Sequence, residues 1–130
     1  MTALLLIAHG SRQAEANDDL YHMAAALRRR GLAVVESFLE LAEPDIDGGA
    51  GRCVELGARR VVLLPYFLSA GVHVRRDLAA ARDRLAARYP RVEFVLAEPL
   101  GRHPLLEEIV AQRAEEACRA TIPPLPSGER

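Results

Sequence analysis

The feature that most constrains this chain is a regular alternation of short apolar runs with longer amphipathic stretches. The runs Ala3 to Ala8, Ala33 to Leu39, Arg60 to Leu64 and Val92 to Leu96 have strand length and are rich in Val, Leu, Ile and Phe. Leu20, Met23, Ala24 and Leu27 share one face of a first predicted helix, and Ile46, Ala50, Cys53 and Val54 one face of a second. Leu78, Ala81 and Leu85 mark a third, and Leu106, Ile109, Val110 and Ala117 a fourth. Gly31 and Gly57 stand where the first two helices should end, and Pro44 fits the first turn of the second. The predicted order is βαβαβαβα.

Parallel neighbours need right-handed crossovers, so this order implies an α/β fold: a flavodoxin-like three-layer sandwich with a four-stranded parallel sheet. The expected strand order is 2-1-3-4. The chain has 130 residues, half of them hydrophobic, which is enough for one core and too few for two ordinary domains. A single domain is expected over 1–120. The end of the chain, TIPPLPSGER, has three prolines, a glycine and no apolar periodicity, so 121–130 reads as a mobile tail.

No apolar run approaches the about 18 residues that span a membrane, and TALLLIAHGSR lacks the basic segment and cleavage site of a secretory signal. The expected location is the cytoplasm. Cys53 and Cys118 are far apart and outside any CxxC pattern, so both are expected as buried, reduced thiols. A formal net charge of -1 argues against nucleic acid and against an anionic membrane surface as partners. All 17 basic side chains are arginine, which reads as compositional bias; single arginines are judged by position.

In an open α/β sheet, ligands bind beyond the carboxyl ends of the strands, where the strand order reverses. In the order 2-1-3-4 that point lies between the first and third strands. His9 follows the first strand directly, in LLLIAHGSR, and His73 follows the third after PYFLSAG. Glu40 closes the second strand in AVVESFLE. Singly, each has a bland reading, as a hydrogen-bonded structural histidine or a solvated carboxylate. Their convergence on one sheet edge makes a His-Glu-His group the strongest functional signal in the chain. Such a group suits a divalent cation such as cobalt, iron, nickel or zinc, and it suits proton transfer near neutral pH.

Other candidates carry less. Ser11 is a conceivable nucleophile but reads better as a helix N-cap. His22 falls mid-helix, at the surface, and His103 precedes Pro104 at a helix start, where a structural role fits. The glycines of HGSR and SAGVH, Gly10 and Gly71, permit tight turns or close approach of backbone to a flat ligand. No Gly-rich phosphate fingerprint is present.

Four segments together carry a resemblance. HGSR after the first strand, FLELAEP after the second, PYFLSAGVHVRRDL after the third and EPLGRHPLL after the fourth resemble the small, single-lobed sirohydrochlorin chelatases of the CbiX type. The likeness to these class II chelatases of cobalamin and sirohaem synthesis covers about residues 3 to 110. It implies insertion of a divalent metal into sirohydrochlorin without ATP or an organic cofactor. It also implies His9 and His73 as the metal-handling and catalytic pair, with Glu40 as third member. Cobalt is the metal expected first, with iron and nickel as alternatives. Sirohydrochlorin is rich in carboxylates, so Arg12, Arg75 and Arg76, beside the two histidines, are expected anchors, with Ser11 and Gly71 adjoining them. A homodimer is expected because longer relatives look like two such halves in one chain.

Competing functions are a histidine phosphatase, a non-catalytic tetrapyrrole or metal carrier, and a protein-binding module on the same fold. The phosphatase needs arginine directly before its histidine, and here that residue is Ala8. The carrier needs the same crevice, so binding without faster insertion marks it out.

Overall fold

A computed structural model describes residues 1–120; the segment expected as a mobile tail, 121–130, lies outside the described residues. The elements alternate as the sequence predicts: β1 (Thr2–Ala8), α1 (Ala14–Arg29), β2 (Ala33–Phe38), α2 (Ile46–Glu55), β3 (Arg60–Pro65), α3 (Val72–Arg88), β4 (Glu93–Leu96) and α4 (Pro104–Ala120). The strands form one parallel sheet in the order β2-β1-β3-β4. The central strand sets the register: Leu5 stands opposite Val35 of β2 and Leu63 of β3.

The period-2 alternation of side chains along β1 divides the core in two. Ala3, Leu5 and Ile7 point to one face, where they pack with Ala50 and Cys53 of α2 and Leu78 and Leu85 of α3. Leu6 points to the other, against Leu20 and Ala24 of α1, with Val34 and the fully buried Phe38 of β2. Both faces of β1 are therefore covered, which is why its sequence reads as a continuous apolar run.

Helix α1 ends as its sequence suggests. Gly31 takes a φ of +91°, the Gly31 N–H donates to Arg28 O at 2.9 Å, and the Leu32 N–H donates to Leu27 O at 3.2 Å. Gly57 closes α2 with the same pair of bonds.

Three expectations are corrected. Pro44 is not in the first turn of α2. Its carbonyl accepts the Phe38 N–H at 2.9 Å, folding the chain back on the end of β2. Asp45 is the N-cap, its carboxylate accepting the Gly48 N–H at 2.8 Å. Ser11 is not the N-cap of α1; Gln13 is, and the Ser11 Oγ accepts the Gln13 N–H at 3.0 Å. The Asn17 side chain reaches back and bonds both the N–H and the C=O of Ser11, which holds that residue two positions short of the cap. Of the two thiols, Cys53 is buried and free, whereas Cys118 is free but exposed.

The chain resolves into two compact units, Met1–Leu100 and a second that starts at Gly101 and holds α4. In the second unit His103 has the structural role expected of it, its Nδ1 accepting the Leu105 N–H at 3.1 Å. Among the described residues no helix is long and apolar enough to cross a membrane.

Candidate active site

The site is built where β1 and β2 run out. Backbone pairing continues past the strand ends: the Leu39 N–H donates to Ala8 O at 2.9 Å and the Glu40 N–H to His9 O at 3.1 Å. Gly10, with a φ of +94°, then passes so close to β2 that a Cβ would lie 1.8 Å from the Glu40 carbonyl oxygen. Only glycine admits both that conformation and that approach. His9 and Glu40 are thus fixed as neighbours by backbone hydrogen bonds and not by contact between their side chains.

Beyond β3 the chain turns under His9. The Tyr66 N–H donates to Ile7 O at 2.6 Å, and the Phe67 ring stacks on the imidazole with centroids 4.4 Å apart and planes 29° from parallel. Phe67 also packs against the core, and its carbonyl accepts the Leu100 N–H at 3.0 Å.

His9 and Glu40 line one cavity of about 410 Å³. Leu39, Ile46 of α2 and Val74 of α3 give it apolar walls. Asp77 and Arg84, both on α3, add charge. Arg84 is drawn across to α2, where its Nη2 donates to an Asp47 carboxylate oxygen at 2.9 Å. The Asp77 carboxylate has no hydrogen bond or ion pair among the described residues.

His73 is the second residue of α3 and is exposed; it is not among the side chains lining this cavity. Its neighbour Val74 and Asp77, one turn further on, are. The histidine therefore stands in the helical turn that borders the cavity. Among the described residues, no three His, Cys, Asp or Glu side chains stand close enough to hold a metal ion together. The structure thus brings His9 and Glu40 together and leaves His73 in the turn beside them, outside the cavity lining.

The other expected residues separate by what already occupies them. Arg12 and Arg76 are exposed, with no ion pair among the described residues. Arg75 is engaged: its Nε donates to Ala70 O at 3.0 Å, and its Nη1 meets Glu98 at 3.4 Å. It lines a separate cavity of about 220 Å³ beyond the ends of β3 and β4. Ser11 has its hydroxyl committed to the turn before α1. Gly71 is the N-cap of α3, without a side-chain cap, and open space surrounds the position a Cβ would take.

Sequence reasoning missed Asp77, Arg84 and Phe67. Asp77 carried a readable signal, since it follows His73 by four residues and so shares its side of a helix. Arg84 and Phe67 carried none, because their places depend on how α3 meets α2 and how the chain after β3 folds back.

Three comparisons bear on this arrangement. The CbiX family model matches residues 3–117. A sirohydrochlorin cobaltochelatase of Priestia megaterium is 37% identical over 123 residues, which are 93% of this chain and 40% of that protein. One of Sulfolobus acidocaldarius is 33% identical over 117 residues, 90% of this chain and 93% of that one. A sirohydrochlorin ferrochelatase of Priestia megaterium is 31% identical over 118 residues, 89% of this chain and 44% of that one. The chain spans less than half the length of the two Priestia megaterium proteins. Among solved structures, a CbiX protein from Marinobacter aquaeolei VT8 superposes with a TM-score of 0.82 at 30% identity, covering 92% of this chain and 98% of that one.

Proposed function

The chain belongs to the CbiX family, and from that premise we propose that it inserts a divalent metal ion into sirohydrochlorin without ATP, as a metal chelatase. The observation that carries this reading is the pairing of His9 with Glu40 in one cavity at the carboxyl end of the central strand. Insertion has two requirements. The ion must exchange water for macrocycle nitrogens, and the pyrrole N–H protons must leave: M²⁺ and the free tetrapyrrole give the metal complex and two protons.

His9 and His73 hold or relay the ion, and Glu40 helps an imidazole take up the protons. The guanidiniums of Arg12 and Arg76, unpaired among the described residues, suit the carboxylates of the macrocycle, with Ser11 and Gly71 adjoining. Arg75 joins them by exchanging Glu98 for a substrate carboxylate. The reaction calls for no organic cofactor.

Cobalt is the first choice of metal, because a relative of matching length, from Sulfolobus acidocaldarius, is named for cobalt. Iron and nickel are the alternatives, since one relative is named for iron and raw affinity at such a site does not select among these ions. A homodimer is proposed, the second copy supplying the lobe that the longer relatives carry in one chain. Residues 1–120 are proposed to act as one chelatase domain, since the family match runs through both compact units. The cytoplasm is the proposed location.

The test is anaerobic: absorbance spectra of sirohydrochlorin are followed with Co²⁺, Fe²⁺ and Ni²⁺ in turn, with and without protein. Faster insertion of at least one ion supports the reading, and the ranking assigns the metal. Tetrapyrrole binding without acceleration replaces it with a carrier role.

A further inference from the structure

The imidazole of His9 is exposed, and no hydrogen bond from the described residues reaches either of its nitrogens. A histidine that handles metal or protons is ordinarily oriented by a hydrogen bond to its second nitrogen, from a carboxylate or a carbonyl. Here the contact that fixes the ring is the stack on Phe67, at 4.4 Å between centroids and 29° between planes. Phe67 is itself held on two sides, by packing against the core cluster and by the Leu100 N–H bonded to its carbonyl.

We propose that Phe67 is the positioning residue of the site, orienting His9 ring against ring so that both imidazole nitrogens stay available. Stacking occupies a face of the imidazole, whereas its nitrogens lie on the ring's edge. An exposed side chain at a strand end otherwise samples several rotamers, and only the fraction of molecules in the productive one can react. A stack selects an orientation without consuming a donor or an acceptor. A hydrogen-bonded orienter commits one nitrogen; this arrangement commits neither, so the ring can present its unprotonated nitrogen to the ion or, when no ion is held there, to a pyrrole proton. The kinetic part of this inference rests on the insertion reading above, while the geometric part stands apart from it.

Two variants separate the roles. Phe67→Leu keeps apolar bulk against the core and removes the ring, and Phe67→Tyr keeps the ring. The His9 ring protons are read by NMR in metal-free protein labelled at histidine, and insertion kinetics are measured on the same samples.

In the wild type and Phe67→Tyr, the His9 ring protons should lie upfield of their free position, and Phe67→Leu should release them. For Phe67→Leu kcat should fall about tenfold, the scale of a modest misplacement of a catalytic group. Its KM for the tetrapyrrole should stay within about twofold, and Phe67→Tyr should retain kcat within about twofold. Identical His9 shifts in the wild type and Phe67→Leu would overturn the stack, and a released ring with unchanged kcat would overturn its role. A raised KM at constant kcat would make Phe67 a substrate contact instead. If the wild type accelerates no metal, the insertion reading fails, and the NMR comparison still decides whether Phe67 fixes His9.

Discussion

His9 and Glu40 owe their proximity to Gly10 more than to each other. A side chain at position 10 would collide with the Glu40 carbonyl at a φ of +94°. Gly10→Ala should therefore force the two loops apart, costing about 1–3 kcal/mol of stability for the strained backbone, and should slow insertion; urea denaturation and the insertion assay read the two effects. The HGSR motif marked a tight turn in the sequence, but the oxygen that requires the glycine was not legible there, because it belongs to the segment after another strand.

The two cysteines make a second prediction at this scale. Burial raises the Cys53 thiol from 9.0 to about 11. The folded state therefore keeps that proton longer than the unfolded chain does. Its contribution is intact below pH 9 and is lost as pH rises through the window up to about 11, a loss of about 3 kcal/mol at 1.36 kcal/mol per pKa unit. Cys53→Ala should show a smaller alkaline loss when stability is measured by urea at stepped pH. In native protein at neutral pH, Cys118 should react with a thiol reagent and Cys53 should not. Apolar spacing places Cys53 on the core face of α2, but no such pattern surrounds Cys118, which is exposed where burial was expected.

At the scale of elements, period and punctuation carried most of the information. The four apolar runs and four amphipathic stretches became the eight elements, with strand ends shifted by at most one residue, since strand ends depend on pairing partners that a single sequence does not display. Local signals misled where tertiary hydrogen bonds took over. Pro44 is bound to Phe38 and Ser11 is clamped by Asn17, so Pro44 stays out of the first turn of α2 and Ser11 out of the N-cap of α1.

The close packing of α2 on the sheet was likewise invisible in sequence. A Cβ at Gly49 would stand 2.7 Å from Leu5 Cδ1 and 2.9 Å from Ser37 Cβ. Gly49→Val should overpack that contact and cost about 1–3 kcal/mol, read as a lower urea midpoint. Of the site, the sequence showed which strand ends would carry His9, Glu40 and His73. It did not show that α3 would turn Asp77 and Arg84 into the cavity while His73 stayed in the turn beside it.

For the whole molecule, the strand order β2-β1-β3-β4 is what makes a site possible, because it puts the ends of β1 and β3 at the point where the order reverses. Alternation and crossover handedness pointed to a parallel sheet, and the order itself was expected from the flavodoxin-like arrangement that such a sheet resembles. The oligomer was not legible in that way, because a self-complementary surface leaves no periodic mark. The proposed homodimer predicts about twice the chain mass of 14.2 kDa in sedimentation equilibrium at micromolar concentration, and a monomer would contradict the proposal that a second copy supplies the missing lobe.

The central claim is that His9, beside Glu40 at the end of β1, works on a metal ion entering a tetrapyrrole. The most direct measurement is the anaerobic rate of Co²⁺ insertion into sirohydrochlorin, compared between wild type, His9→Ala and no protein. The account predicts a wild-type rate well above the spontaneous one and a fall of about a hundredfold or more in folded His9→Ala. Equal rates for wild type and His9→Ala, with both above the spontaneous rate, would contradict it.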